Sequence, residues 1–408
     1  MDIRVDAGRL KADIEELAGF GRDPQGGISR PSFSRADLEA RAWLKDRIRD
    51  AGLTVRQDGA GNIFGRIDGP GKTVMAGSHI DTVLNGGAFD GSVGVLAALE
   101  CLRRIKEEGV QAARALEMAS FTDEEGNLVG DFLGSRAFMG LVDENEVRQG
   151  RTQFGRSLAG ILEGTGLSIE SILVARKERP DLEAFLELHI EQGPVLETED
   201  TPIGVVEAIS GKRYRWCSFT GKASHAGTTP PELRQDAFLG LADLALRGTR
   251  HAAANHYGSM VTIGKVVVHP GVFSTVPGRA EFSLDIRSVS PATLKSLEEE
   301  LLALAEDIAA TRGLGFASKL VDATEPVRIS ERLMAILEDE CRKLGYKQMR
   351  LASGAGHDAQ ILASGCDSGM IFIPCLDGIS HSPEEAINWE DLEKGANLLL
   401  AILVRLAG

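Results

Sequence analysis

No apolar run in this chain approaches the ~20 residues that a membrane-spanning helix requires. The first twenty residues, MDIRVDAGRLKADIEELAGF, lack the apolar stretch of a secretory leader. Cysteine is sparse: Cys101, Cys217, Cys341, Cys366 and Cys375 are scattered, odd in number, and form no CxxC pair. Such a set reads as reduced thiols rather than a disulfide framework, and a cytoplasmic location is expected. Basic charge is also short, with 45 Lys and Arg against 60 Asp and Glu and a net charge of −15. An acidic surface suits neither nucleic acid nor an anionic membrane. A small anionic substrate is still open, because local arginines can decide that. Neither an internal repeat nor a low-complexity tail is present.

What remains is an ordinary globular composition, 43% hydrophobic and 26% charged over 408 residues, enough for two or three domains. Helical spacing recurs at Leu10, Ile14, Leu17 and Ala18, and again from Leu38 to Leu53. The segment between, GRDPQGGISRPSFS, reads as mobile or as bordering a cleft. Short apolar strands near 54–57, 62–67, 73–79 and 116–121 alternate with helices, predicting an α/β sheet. Residues 127–180 read as a polar, mostly helical insert, and a further strand ends at His189. From about residue 211 the grammar becomes strand–helix–strand–strand–helix, a compact two-layer α/β unit. The expected organisation is a catalytic domain over 1–210 and 326–408, with an inserted domain over 211–325.

The most informative stretch is GSHIDTVLNGGAFDGSVGVLAALE, residues 77–100. It places His79 and Asp81 two apart at a strand end, where both can face the same way, so that Asp81 could accept the second ring N–H of His79. Asp90 follows a glycine-rich turn just ahead of an amphipathic helix. His79, Glu125, His189 and His381 all lie at or just beyond the carboxyl end of an apolar strand, where open α/β sheets bind ligands. Three imidazoles and two carboxylates without a thiolate fit two first-row divalent ions better than a structural zinc. Two such ions need a bridging oxygen donor, and Asp90 is the choice for it. Glu124 and Glu125 are adjacent and point apart, so one can ligate while the other faces the cavity as a proton carrier.

Further candidates are less specific. His225, among small residues in GKASHAG, could donate to a developing oxyanion. Arg287, ending SLDIR, could pair with a substrate carboxylate. The loop around Gly356 could bring backbone N–H groups to an anion. His251, His256 and His269 show no acidic partner and receive no role.

Taken together, HIDTV with GAFDG, TDEEG, LHIEQGPVLE, GKASHAGTTP, SLDIR, SGAGHDA and GISHSPEE resemble the M20-type dinuclear metallohydrolases. More narrowly they resemble the hydantoinase/carbamoylase amidases: N-carbamoyl-L-amino acid amidohydrolase, β-ureidopropionase and allantoate amidohydrolase. The resemblance implies a catalytic domain with a central mixed sheet and an inserted ferredoxin-like domain serving as lid and dimerisation surface. It also implies two divalent ions per subunit, with zinc first among the candidates and Mn, Co or Ni also suitable. His79, Asp90 and His189 would hold one ion, and Asp90, Glu125 and His381 the other. Glu124 would be the general base, Asp81 would orient His79, and His225 would stabilise the transition state. Gln192, Arg287 and Gly356 would grip a small substrate bearing a carboxylate, and a homodimer is implied. Ser274 stands where carbamoylases commonly have asparagine, and a hydroxyl cannot replace the paired donor and acceptor of an amide. The implied reaction is C–N hydrolysis of an N-carbamoyl-L-amino acid. Allantoate or an N-acyl amino acid is the alternative substrate, and a non-catalytic binding protein on the same fold is the alternative of another class.

Overall fold

A computed structural model describes residues 3–408. The chain divides into two compact units. The first takes the chain up to Glu207, then Ile329–Leu351 and His357–Gly408; the second takes Ala208–Arg328 and Ala352–Gly356.

The first unit is built on strands β1 (Thr54–Gln57), β2 (Ile63–Ile67), β3 (Thr73–His79), β4 (Ala115–Phe121), β5 (Leu182–Ile190), β6 (Ile203–Ile209) and β7 (Asp367–Ile373). Their order is β1-β2-β4-β3-β5-β7-β6. β3 pairs in parallel with β4 and with β5, and β7 pairs in parallel with β5. The flanking partners β2 and β6 run antiparallel to β4 and β7, so the sheet is mixed. Every residue of β3 and β4 is buried, as is all but one of β5. Central strands covered on both faces read as continuous apolar runs, which is why VMAG, LEMASF and AFLEL stand out in the sequence. Helices Ser92–Glu107 and Trp389–Ala407 supply part of that cover. Because β3, β4, β5 and β7 are mutually parallel, their carboxyl ends and the loops that follow share one edge.

Two expectations are corrected here. The second half of the Gly/Pro/Ser-rich segment before the second helix is packed rather than mobile, with Ile28, Arg30, Ser32 and Phe33 all buried. Its buried Arg30 donates to the carbonyls of Ile80 (2.7 Å), Leu17 (2.9 Å) and Phe20 (3.0 Å). Ala352–Gly356, expected in the catalytic domain, clusters with the second unit. Ser210 N donates to Ser353 O at 2.9 Å and the Arg287 guanidinium to Gly354 O at 2.8 Å, which hold that segment there.

The main elements of the second unit follow a β-α-β-β-β-α-β order. Strand Gly211–Thr220 leads to helix Ala237–Asn255, then strands Met260–Thr262, Val266–His269 and Arg279–Ser288, helix Pro291–Arg312, and strand Gly315–Thr324. The first strand lies between Arg279–Ser288 and Gly315–Thr324, antiparallel to both. The strand Gly315–Thr324 was not anticipated. It is an edge strand with mostly exposed side chains, so it carries no apolar signature. Among the described residues no helix is long and apolar enough to cross a membrane.

Gly94, in the first turn of the helix after Asp90, lets that helix approach the sheet. A Cβ there would lie 2.4 Å from Leu188 O and 2.8 Å from Ser78 Cβ. At Gly8 the nearest atom would be an ordinary 3.4 Å away. Alanine normally gains about 1 kcal/mol over glycine in a helix, whereas overpacking costs about 1–3 kcal/mol. Urea denaturation should therefore show Gly8→Ala stabilised and Gly94→Ala destabilised; equal midpoints would contradict this packing.

Candidate metal centre

The carboxyl edge of the parallel strands gathers five ligand-type side chains around Asp90. β3 ends on His79 and β5 carries His189 one residue from its end. Glu124 and Glu125 follow β4, and His381 lies in the loop after β7. Oδ1 of Asp90 is 3.1 Å from His189 Nε2 and 3.7 Å from His79 Nε2, while Oδ2 is 3.1 Å from His381 Nε2. His381 Nε2 is in turn 3.6 Å from a Glu125 oxygen, and His79 Nε2 is 3.5 Å from a Glu124 oxygen. Each oxygen of Asp90 therefore faces a different set of ligand-type atoms. His79, Asp90 and His189 form one cluster with all ligand atoms within 4.8 Å, and Asp90, Glu125 and His381 form another.

The tautomers follow from the outer hydrogen bonds. His79 Nδ1 lies 3.0 Å from the carbonyl of Asp81, and His189 Nδ1 lies 2.9 Å from the carbonyl of Ile190. A carbonyl can only accept, so both rings donate from Nδ1, and a neutral ring then turns its Nε2 lone pair toward Asp90. This corrects the expected role of the Asp81 side chain. Its carboxylate is 3.8 Å from the ring and accepts instead from the backbone N–H of Glu124 (3.4 Å) and Glu125 (3.3 Å). Strand geometry stops at His79, so Asp81 no longer faces the ring's side of the sheet. Asp81 thus orients His79 through its carbonyl and the two glutamates through its side chain.

The electrostatics suit a cation. Burial pushes His79 down to about 4, which leaves its ring neutral. Its Nε2 is buried with no hydrogen-bond partner. Burial, then the charges of Glu125, Asp358, Asp90 and Asp81, push Glu124 well above its ordinary value. Burial, Asp90 and Asp81 do the same to Glu125. Against the cost of burial, Asp90 and Glu187 hold His189 up at about 9. Buried carboxylates crowded around an orphaned imidazole nitrogen call for positive charge, and imidazole with carboxylate is a donor set for Zn, Mn, Co or Ni.

Backbone strain collects at the same edge. Asp123, Gln192 and His381 have φ of 58°, 58° and 54°, the left-handed region that costs a non-glycine residue of order 1 kcal/mol or more. Gly91 (φ 62°) also sits there, and a Cβ on it would come within 2.4 Å of His79 Nε2. Gln192 donates to Asp90 Oδ2 at 2.8 Å and lies 3.2 Å from Ser380 Oγ.

In the second unit, His225 is exposed on the short strand Ser224–His225, which pairs with Thr275–Val276. Ala226 N donates to Ser274 O at 2.8 Å, so His225 and the exposed Ser274 lie side by side. Arg287 is half-buried, ion-paired with Asp285 at 3.1 Å and bonded to Tyr214 Oη at 2.6 Å. Its bond to Gly354 O places it on the loop that carries the half-buried Gly356.

Sequence reasoning passed over Glu385, four residues after His381 in the same GISHSPEE box. Its Oε1 accepts from the N–H of Phe89 (2.8 Å) and Asp90 (3.1 Å), and its Oε2 from Ser380 Oγ (2.9 Å). One buried carboxylate thus ties the Asp90 turn to the His381 loop. Glu187, which accepts from Ser78 Oγ at 2.6 Å and Ala359 N at 2.8 Å, was passed over likewise. Outer partners of this kind typically contribute 10–100-fold to metal affinity. Glu385→Ala should lower divalent-metal affinity by about that factor in chelator competition, with the fold intact by circular dichroism. Wild-type affinity would remove Glu385 from the centre.

Known proteins resemble this chain over nearly its whole length. The model of Peptidase family M20/M25/M40 matches residues 75–405. An N-carbamoyl-L-amino acid amidohydrolase of Geobacillus stearothermophilus is 37% identical, covering 98% of this chain and 98% of its own. Allantoate amidohydrolase of Escherichia coli is 36% identical, covering 98% and 97%. The crystal structure of a hydantoinase/carbamoylase family amidase from Burkholderia multivorans superposes with a TM-score of 0.91 at 33% identity, over 100% of this chain and 99% of that one. With its two His and carboxylate clusters sharing Asp90, the chain belongs to the M20/M25/M40 family of metallohydrolases.

Proposed function

We propose that this protein hydrolyses the C–N bond of N-carbamoyl-L-amino acids or closely related ureido or N-acyl amino acids. The observation that carries the reading is Asp90, whose two oxygens face His79 with His189 on one side and His381 with Glu125 on the other. Those residues would hold two divalent ions, zinc first among the candidates, with Asp90 between them. When bound, such ions supply Lewis acidity to the scissile carbonyl and lower the pKa of an attacking water.

The chain's own residues do the rest. Glu124 takes the proton of the attacking water on its carboxylate and returns it to the departing nitrogen. Its position fits that role, because it is buried beside His79, where burial and then like-charged neighbours raise the affinity of its carboxylate for a proton. Asp81 keeps Glu124 and Glu125 aimed through their backbone N–H groups. Gln192, a side-chain amide at the edge of the cluster, would meet the polar end of the substrate. Arg287 would pair with the substrate carboxylate, with the Gly356 backbone beside it. His225 and Ser274 would contact the group that becomes an oxyanion. In this reading the second unit is a lid that also joins two copies, supported by its long exposed edge strand Gly315–Thr324 with Leu320 and Val321 outward.

Allantoate is the second substrate reading. It is supported by the 36% identity to an allantoate amidohydrolase, and Ser274 alters the grip that asparagine gives in carbamoylases.

Chelation should abolish hydrolysis, and divalent metal should restore it. Glu124→Gln should keep its metal content while kcat falls by roughly 10²–10⁴-fold or more; normal turnover would refute the assignment of the base. A panel of N-carbamoyl, N-acetyl and allantoate compounds, compared by kcat/KM, identifies the substrate. The reading expects an N-carbamoyl-L-amino acid to rank first, and no turnover of any of the three classes would overturn it.

A further inference from the structure

The second unit carries another gathering of ligand-type side chains, separate from Asp90. His251 lies in the last turn of helix Ala237–Asn255, and His256 lies just past its end. Both meet Glu300, on helix Pro291–Arg312, and His269 meets Glu281 at 3.1 Å, which corrects the expectation that these three histidines have no acidic partner. Oε2 of Glu300 is 2.8 Å from His256 Nε2 and is also hydrogen-bonded to His251 Nε2. The three ligand atoms lie within 4.8 Å of one another.

A single histidine would satisfy an exposed glutamate, so the second imidazole on the same oxygen is the informative feature. The other oxygen of Glu300 is engaged by Ser296 Oγ at 2.5 Å, which turns Oε2 toward the two rings. The Ser296 hydroxyl, then His256 and His251, hold the carboxylate down at about 2, so it is ionised under all ordinary conditions. His256 N donates to Ala252 O at 2.9 Å, fixing the backbone that presents its ring. The Asn255 side-chain N–H donates to His251 Nδ1 at 3.1 Å, which fixes the ring with its Nε2 toward Glu300. His256 is largely buried, while His251 and Glu300 are 35% and 37% exposed, so the cluster is open on one side.

Two imidazole nitrogens and one carboxylate oxygen, open on one side, match a three-ligand zinc site with its fourth position free. Imidazole donors favour Zn, Ni or Cu over Mg or Ca.

We propose that His251, His256 and Glu300 bind one borderline divalent ion such as Zn²⁺, pinning the end of helix Ala237–Asn255 to helix Pro291–Arg312.

The test uses the full chain, stripped with chelator and titrated with Zn²⁺ alone, with bound zinc counted by equilibrium dialysis. Wild type should hold one equivalent per chain more than Glu300→Gln, and one more than the His251→Asn/His256→Asn double variant. Because the two variants change different residues, misfolding of one leaves the other informative. Zn²⁺ should also raise the Tm of wild type more than that of either variant. Equal zinc in wild type and both variants would overturn the proposal, as would displacement of the extra equivalent by equimolar Mg²⁺.

Discussion

The repulsion among buried carboxylates is the constraint on which the catalytic unit depends. Asp81, Asp90, Glu124 and Glu125 are brought to one sheet edge beside the imidazoles of His79, His189 and His381. Burial drives Asp81, Glu124 and Glu125 toward their protonated forms. Asp90, despite the same burial, is held well below the usual carboxylate range by hydrogen bonds from His189 and His381. The fold therefore gives up stability to keep a negative pocket, a cost that positive charge placed beside Asp90 would relieve.

The surrounding structure is arranged to withstand that strain. Parallel pairing of β3, β4, β5 and β7 fixes the starting points of the four ligand-bearing loops. Buried Arg30 grips the carbonyl of Ile80 and holds the turn after His79. Glu385 fastens the Asp90 turn to the His381 loop from the other side. Left-handed backbone at Asp123, Gln192 and His381 re-aims side chains that regular geometry would send elsewhere. Such strain persists only where neighbouring contacts over-determine it.

Much of this was legible in the residues themselves. VMAGSH and AFLELH announce their buried strands because both faces are covered and the polar residue falls at the end. The members of the Asp90 cluster could be picked out because each follows such a strand. Other features were not legible, for physical reasons. The segment around Arg30 reads as loose from its glycine and proline content, yet it is locked by a long-range guanidinium whose acceptors are backbone carbonyls. A period of two placed the Asp81 carboxylate against His79, but the strand ends at His79 and the rule ends with it. Gly315–Thr324 hides because an exposed edge strand needs no apolar face. The partner of His251 and His256 lies more than forty residues away on another helix, where no local pattern points.

The central claim is that one aspartate holds two cations. Crystals of the zinc-loaded protein, measured on both sides of the zinc absorption edge, would locate the ions by anomalous difference density. Two peaks about 3.5–4 Å apart, one beside each oxygen of Asp90, are the predicted result. A single peak, or two peaks that Asp90 does not touch, would contradict it.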